Sequence, residues 1–197
     1  TGNNNAALGA SSLYANTSGN NNTAIGQSAL RLNTTGKNNT AIGMEALFSN
    51  TADDNTATGY QALYANTTGV YNTANGAYAL PNNTTGTNNT AVGFFALHDN
   101  LVGGFNTAVG VDALFRNKAS GNTALGTSAL ASNASGSNKT AVGVSSLYYN
   151  NAAFNTATGF GAMFFHTTGD NNTANGANAL KGNVNQLLNT GANNTAT

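Results

Sequence analysis

Asn22-Thr23-Ala24-Ile25-Gly26-Gln27-Ser28-Ala29-Leu30 returns as Asn39-Thr40-Ala41-Ile42-Gly43-Met44-Glu45-Ala46-Leu47, and it recurs with drift through nearly the whole chain. Its glycine stands at 9, 26, 43, 59, 76, 93, 110, 126, 143, 159 and 176, so the step is always 16 or 17 residues. A strict short period is the mark of a solenoid: one unit cannot bury its own apolar face, whereas stacked units can. Coils are numbered by this glycine, from coil 1 (Gly9) to coil 11 (Gly176).

Aligned on the glycine, the repeats form columns. The residue two before it is always Ala, and the residue four after it is Leu ten times and Met163 once. Thr precedes the invariant Ala except at Ala6, and Asn precedes that Thr except at Lys139. Thr-Ala-x alternates side-chain direction as a short β-strand does. The Ala column marks a place where nothing larger fits, and the Leu column fills the space beside it, so the two read as the interior. The glycine suggests a bend or a close approach to the neighbouring coil. Asn before the strand reads as a turn residue bonding local backbone. A second turn follows the Leu, as in Asn33-Thr34-Thr35-Gly36 and Asn66-Thr67-Thr68-Gly69, and Asn opens it in ten coils of eleven, His166 being the exception. Each coil is therefore expected to hold a strand, a bend, a second extended segment and a turn. The prediction is an all-β solenoid, a narrow parallel β-roll. Helix is a poor alternative for Gly- and Asn-rich units with no 3.6-residue period.

Residues 1–180 read as one array, and 181–197 as an irregular connection followed by the start of another repeat at Asn194-Thr195-Ala196. Both ends fall within the repeat pattern, which leads us to expect a segment of a longer protein, with export signal and anchor elsewhere. Charged residues make up 6%, with Lys+Arg equal to Asp+Glu, so no basic patch exists to hold a nucleic-acid backbone. The chain has no cysteine, so a secreted solenoid of this kind must be held by stacking, by oligomerisation or by both. No apolar run is long enough to span a bilayer, and no membrane contact by this segment is expected.

The column before the glycine reads Leu8, Ile25, Ile42, Thr58, Asn75, Val92, Val109, Leu125, Val142, Thr158, Asn175. By alternation it faces away from the invariant Ala. An aliphatic ladder outside a narrow roll needs a partner surface, which makes Ile25 to Asn175 of this column interface candidates. The opposite assignment puts this column in the core and the Ala column outside. Thr58 and Asn75 recur as Thr158 and Asn175, 100 residues on, as though six coils had been duplicated in a block. The two Asn layers read either as polar rings that fix register on an oligomer axis or as exposed Asn in a loosened coil.

Residues 22–29, 39–46, 89–96 and 106–113 carry Asn-x-Ala-[Ile/Val]-Gly-x-x-[Ala/Ser]. This motif resembles the head repeats of trimeric autotransporter adhesins, the YadA-like heads, and the resemblance covers essentially the whole chain. It implies a left-handed parallel β-roll, three chains around one axis, on a bacterial surface outside the cell. Related trimeric fibres, phage-type tail fibres included, carry similar repeats. The period here is longer than the common head repeat by the Leu and the Asn-Thr-Thr-Gly turn, and Thr58, Asn75, Thr158 and Asn175 interrupt the aliphatic column. The repeat motif is structural, so no binding residue is carried over from the family.

No catalytic constellation is expected, and no cofactor or metal site. His98 and His166 lie four coils apart, on the order of 19 Å within one chain, too far to share a metal, and both are expected to be solitary and exposed. Asp53-Asp54 reads as a turn variant rather than a calcium site. Gly-x-Gly spacings follow from the repeat and precede no helix, so they are not phosphate loops. Asn-x-Thr/Ser sequons follow from composition and matter only if the source glycosylates this surface. The variable positions are the ones a binding surface would use. The residue after the Leu is aromatic at Tyr14, Phe48, Tyr64, Phe115, Tyr148 and Phe164. Such a ladder could grip sugar rings or a protein surface; it could equally pack between chains.

The function expected is a rigid, non-enzymatic segment of a trimeric extracellular fibre, an adhesin head or shaft. Its partners would be itself, as a homotrimer, and a host glycan or matrix protein. A rival of another class is an ice-binding solenoid that uses the Thr column. Its second outward position, however, is Thr only at 58 and 158. A phage or predator fibre would differ from an adhesin in its owner alone.

Overall fold

The computed structural model describes residues 2–182 and 191–197. Among them, twelve short strands run from Ala6–Leu8 and Thr23–Ile25 through to Thr173–Asn175 and Thr195–Ala196. They form one sheet in sequence order, and every neighbouring pair is parallel. Register follows the repeat: Thr23 pairs Thr40, Ala24 pairs Ala41 and Ile25 pairs Ile42. The chain is an all-β parallel solenoid of 16–17-residue coils, as the glycine spacing predicts. The strand at Thr195–Ala196 joins the sheet beside Thr173–Asn175, where the sequence places the next repeat. The longer connection expected before it lies mostly outside the described residues.

The second extended segment is not a strand. After the glycine, left-handed residues alternate with others: in coil 2, Gly26 has φ 132°, Ser28 58° and Leu30 49°. The backbone is nonetheless bonded from coil to coil around the whole turn. The amide N–H groups of Thr23 and Leu30 donate to Asn39 and Ala46 of the following coil, at 2.9 and 3.0 Å. Those of Gly26 and Ser28 donate to Leu8 and Ala10 of the preceding one, at 2.8 and 2.9 Å. A narrow coil therefore satisfies its peptide groups without helix or long strands. Gly26 is fixed by both geometry and space: a Cβ there would lie 2.5 Å from the carbonyl oxygen of Gly43.

The interior is two materials side by side. One half is apolar: Ala24, Ala29 and Leu30 and their equivalents through coil 10, with Ser146 for one Ala, are fully buried in one column, and the partly buried Ala179 and Leu180 pack against its end. The other half is amide. Asn22, Asn39, Asn55, Asn72, Asn89 and Asn106 are fully buried in one column, and Asn33, Asn50, Asn66, Asn83, Asn100 and Asn117 in another. These side chains were expected to serve local turns; most of their bonds run between coils instead. Asn39 Oδ1 accepts from the backbone N–H of Asn55 at 3.0 Å, while Asn39 Nδ2 donates to Asn22 Oδ1 at 3.2 Å and to the Ala52 carbonyl at 2.8 Å. In the second column Asn83 Nδ2 donates to Asn66 Oδ1 at 2.8 Å and also closes its own turn on the Gly86 carbonyl at 3.0 Å. Burying so many amides is tolerable because nearly all of their polar atoms are paired, Asn33 Oδ1 being the exception among the described residues.

Candidate functional site

Two sets of outward columns carry the variable chemistry. The first is the strand face. With the Ala column buried from Ala24 to Ala174, its neighbours on either side must point out, and they do. Leu8 is 69% exposed, Ile25 40%, Ile42 39% and Leu125 47%. Val92, Val109, Val142 and Thr58 are half-buried beside them, and Asn75, Thr158 and Asn175 are exposed. The reading of this column as core, with Ala outside, is overturned: the concave side of a three-residue strand holds only the middle side chain, and it must be small. Thr23, Thr40, Thr56 and their equivalents form a second outward column on the same face, in register throughout. From Thr23–Ile25 to Thr173–Asn175, each strand thus presents a Thr hydroxyl and one variable side chain.

The second set follows the buried Leu. Adjacent rings of this column stack at the coil spacing: Phe48 on Tyr64 at 5.1 Å, His98 on Phe115 at 4.9 Å, Tyr148 on Phe164 at 5.1 Å. His98 therefore belongs to the ring ladder, and its Nδ1 lies 2.7 Å from Asp99 Oδ1. Flanking columns widen the patch. Tyr78 and Phe94 meet at 6.3 Å, Phe94 and Phe95 at 3.9 Å, and Tyr149 stacks on Phe165 at 5.8 Å. The ladder is broken at Arg31, Pro81 and Ala131, and Lys181 follows at the same interval. Every third coil, 50 residues apart, lacks a ring. That spacing was present in the sequence and is the signal by which the breaks could have been found. At the first break the chain supplies a substitute: the Arg31 guanidinium lies 5.9 Å from the Tyr14 ring and 5.7 Å from the Phe48 ring.

Two departures from the amide columns were legible as exceptions but not as buried groups. Lys139 takes the place of an Asn in the first column and is 1% exposed. Its Nζ reaches across to the second column and donates to Asn133 Oδ1 at 2.7 Å, the Asn150 carbonyl at 2.6 Å and Asn150 Oδ1 at 3.2 Å. Burial pushes its amine down to about 7, against the attraction of Asp170. His166 takes the place of an Asn in the second column and is buried, contrary to the exposed histidine expected. Among the described residues its Nδ1 has no hydrogen-bond partner. Burial lowers its affinity for a proton, partly offset by a hydrogen bond to the Gly191 backbone. Asp54 sits at φ 61° and its Oδ1 accepts from Asn38 Nδ2 at 3.0 Å, which makes it a turn member of an outer amide ladder. Among the described residues, no three His, Cys, Asp or Glu side chains gather as a metal site would require.

No family model, no curated protein and no solved structure matches the chain.

Proposed function

We propose that the chain is a segment of a rigid homotrimeric extracellular fibre, adhesive rather than enzymatic, built from left-handed coils whose strand faces meet around a common axis. The observation that carries this reading is the aliphatic ladder from Leu8 to Val142, which leaves large side chains such as Ile25 and Leu125 about two-fifths or more exposed on a regular face. Single exposed aliphatics are ordinary; a ladder of them at coil spacing is a surface in want of a partner. A second copy of the same ladder is the partner with matching period. The polar members Thr58, Asn75, Thr158 and Asn175 would then set register between chains. The motif resemblance supports the same assembly. A stack of coils about 4.8 Å apart gives a rod on the order of 50 Å, and three identical rods would let weak contacts to a glycan or matrix protein add up.

Light scattering on the purified chain tests this. The expected mass is about three times 19.7 kDa. Val109→Glu should reduce it to that of one chain, and Ser49→Glu, on another column, should leave it unchanged. A folded monomer before any substitution, or equal tolerance at both positions, would remove the reading. The unbroken Thr ladder from Thr23 to Thr173 favours a second reading, ice binding by a regular hydroxyl face. Thermal hysteresis from a monomeric sample would support it in place of the first.

A further inference from the structure

We infer that the break in the ring ladder at Ala131 is a binding slot for a single neutral sugar ring, sandwiched between Phe115 and Tyr148. Ring neighbours in this column stand 4.9 to 5.1 Å apart per coil. Phe115 and Tyr148 are two coils apart, which separates them by about 10 Å. Ala131, buried beneath, contributes only a methyl group, and the result is a cleft of about 330 Å³. That volume lies in the range of small-molecule sites.

The same gap occurs twice more, and at the first the chain fills it. Arg31 lays its guanidinium between Tyr14 and Phe48, and Pro81 stands between Tyr64 and His98. At coil 8 the intervening side chain is a single methyl group, the smallest of the three. A planar aromatic ligand touching both walls at van der Waals distance needs a gap of only about 7 Å. A pyranose chair, with C–H groups on both faces, is thicker and uses more of the room. The rim selects further. Asp112 and Arg116 line the cleft with opposite charges, and neither is in an ion pair among the described residues. The first disfavours an anion and the second a cation. Ser128 and Ser132 add two hydroxyls that both donate and accept. Two ring walls with Tyr149 beside them, a carboxylate acceptor, a guanidinium donor and serine hydroxyls suit a ring with apolar faces and a hydroxylated edge. The slot is complete within one chain. The inference deepens the adhesive reading, and rests on it only for its biological setting.

The test is saturation-transfer NMR with four probes: the methyl pyranosides of glucose, galactose, mannose and N-acetylglucosamine. At least one should show transfer and displace the ring signals of Phe115 and Tyr148, with Kd about 1 mM, as expected for a single small ring. Ala131→Arg reproduces at coil 8 the plug that coil 2 already carries, so the fold should be unaffected. It should weaken binding at least tenfold, and Tyr148→Ala should do the same. Failure of all four probes, transfer that survives Ala131→Arg, or preferential binding of the aromatic cation benzamidine would each overturn the inference. Light scattering on the same sample reports the oligomeric state, so loss of the trimer and loss of the slot are read separately.

Discussion

The Leu column shows how a single backbone angle selects a side chain. Leu30, Leu47, Leu97 and Leu147 sit at φ 49°, 51°, 54° and 50°, where non-glycine residues are rare and β-branched ones rarer. The column holds Leu or Met and never Ile or Val, although Ile and Val abound in the strand column, where φ is not left-handed. Leu97→Ile keeps volume and hydrophobicity, so a purely volumetric core would accept it. We expect it to cost about 2 kcal/mol through backbone strain and repacking, while Leu97→Met costs under about 1 kcal/mol. Chemical denaturation of the two variants checks this, and equal stability would show that the backbone angle does not discriminate. Lys139 is the other residue whose chemistry is set by place. Its buried amine titrates near 7, against 10.5 when unfolded. Below about pH 7 both states hold the proton and the fold bears the full cost of a buried ammonium. Between those values the unfolded chain binds a proton that the folded chain has released, so stability rises with pH. His166, whose proton affinity is also lowered by burial, adds a further loss as pH falls through its usual value of 6.5. Melting followed from about pH 6.5 to pH 9.5 should show stability growing by a few kcal/mol in the native chain, and much less in Lys139→Asn. The same slope in both would mean that Lys139 does not set it.

At the scale of the coil, half of the interior was legible and half was not. Ala24, Gly26 and Leu30 announce themselves because their columns are nearly uniform and apolar or small, and such uniformity has few causes besides packing. The amide columns are as uniform, yet Asn22 and Asn33 have an ordinary explanation as turn residues, and sequence alone does not say whether an amide bonds its own turn or the coil below. Only closure of the coil brings the two Asn columns inside, where pairing from coil to coil is the way to satisfy them. The distinction has an energetic consequence. Asn89 donates to Asn72 Oδ1 and to the Gly103 carbonyl, and its Oδ1 accepts from both nitrogens of Asn106. Asn89→Ala would leave the buried backbone N–H of Asn106 without its acceptor, while Asn72 Oδ1 and the Gly103 carbonyl keep other donors, and we expect a loss of about 1–3 kcal/mol. The exposed Asn21, whose amide bonds Asn4 and Asn38 where water can take its place, changed to Gly at φ 57°, should cost under about 1 kcal/mol. Urea denaturation of the pair decides between a ladder and a turn, since a turn role predicts similar small losses for both. Lys139 and His166 are visible in the sequence as exceptions, but a column read as turn residues gives no reason to expect its members buried.

Across the whole molecule two periods coexist, and both constrain what the chain can lose. The coil repeats every 16 or 17 residues and the ring ladder every three coils, or 50 residues, as Arg31, Pro81, Ala131 and Lys181 mark. Each strand contacts only the strands before and after it, so stability should be close to a sum over coils and their junctions. Removal of residues 32–81 respects both periods. It joins Arg31 to Asn82, which then stands where Leu32 stood, and Asn83 falls into the place of Asn33 in its buried column. Tyr14 and His98 come to flank Arg31 as Tyr14 and Phe48 did, and the slot at Ala131 is untouched. The shortened chain should fold, lose about 14 Å of rod length by small-angle scattering, and unfold at a somewhat lower temperature. Removal of residues 32–73 deletes less of the chain but places Ala74 where Leu32 was. It drives an interior Ala to the surface and throws the amide and Leu columns out of phase. That variant should be destabilised far more despite its greater length. If both deletions behave alike, the columns do not hold the stack together, and the in-register amide and apolar ladders would lose their standing as the cause of the fold.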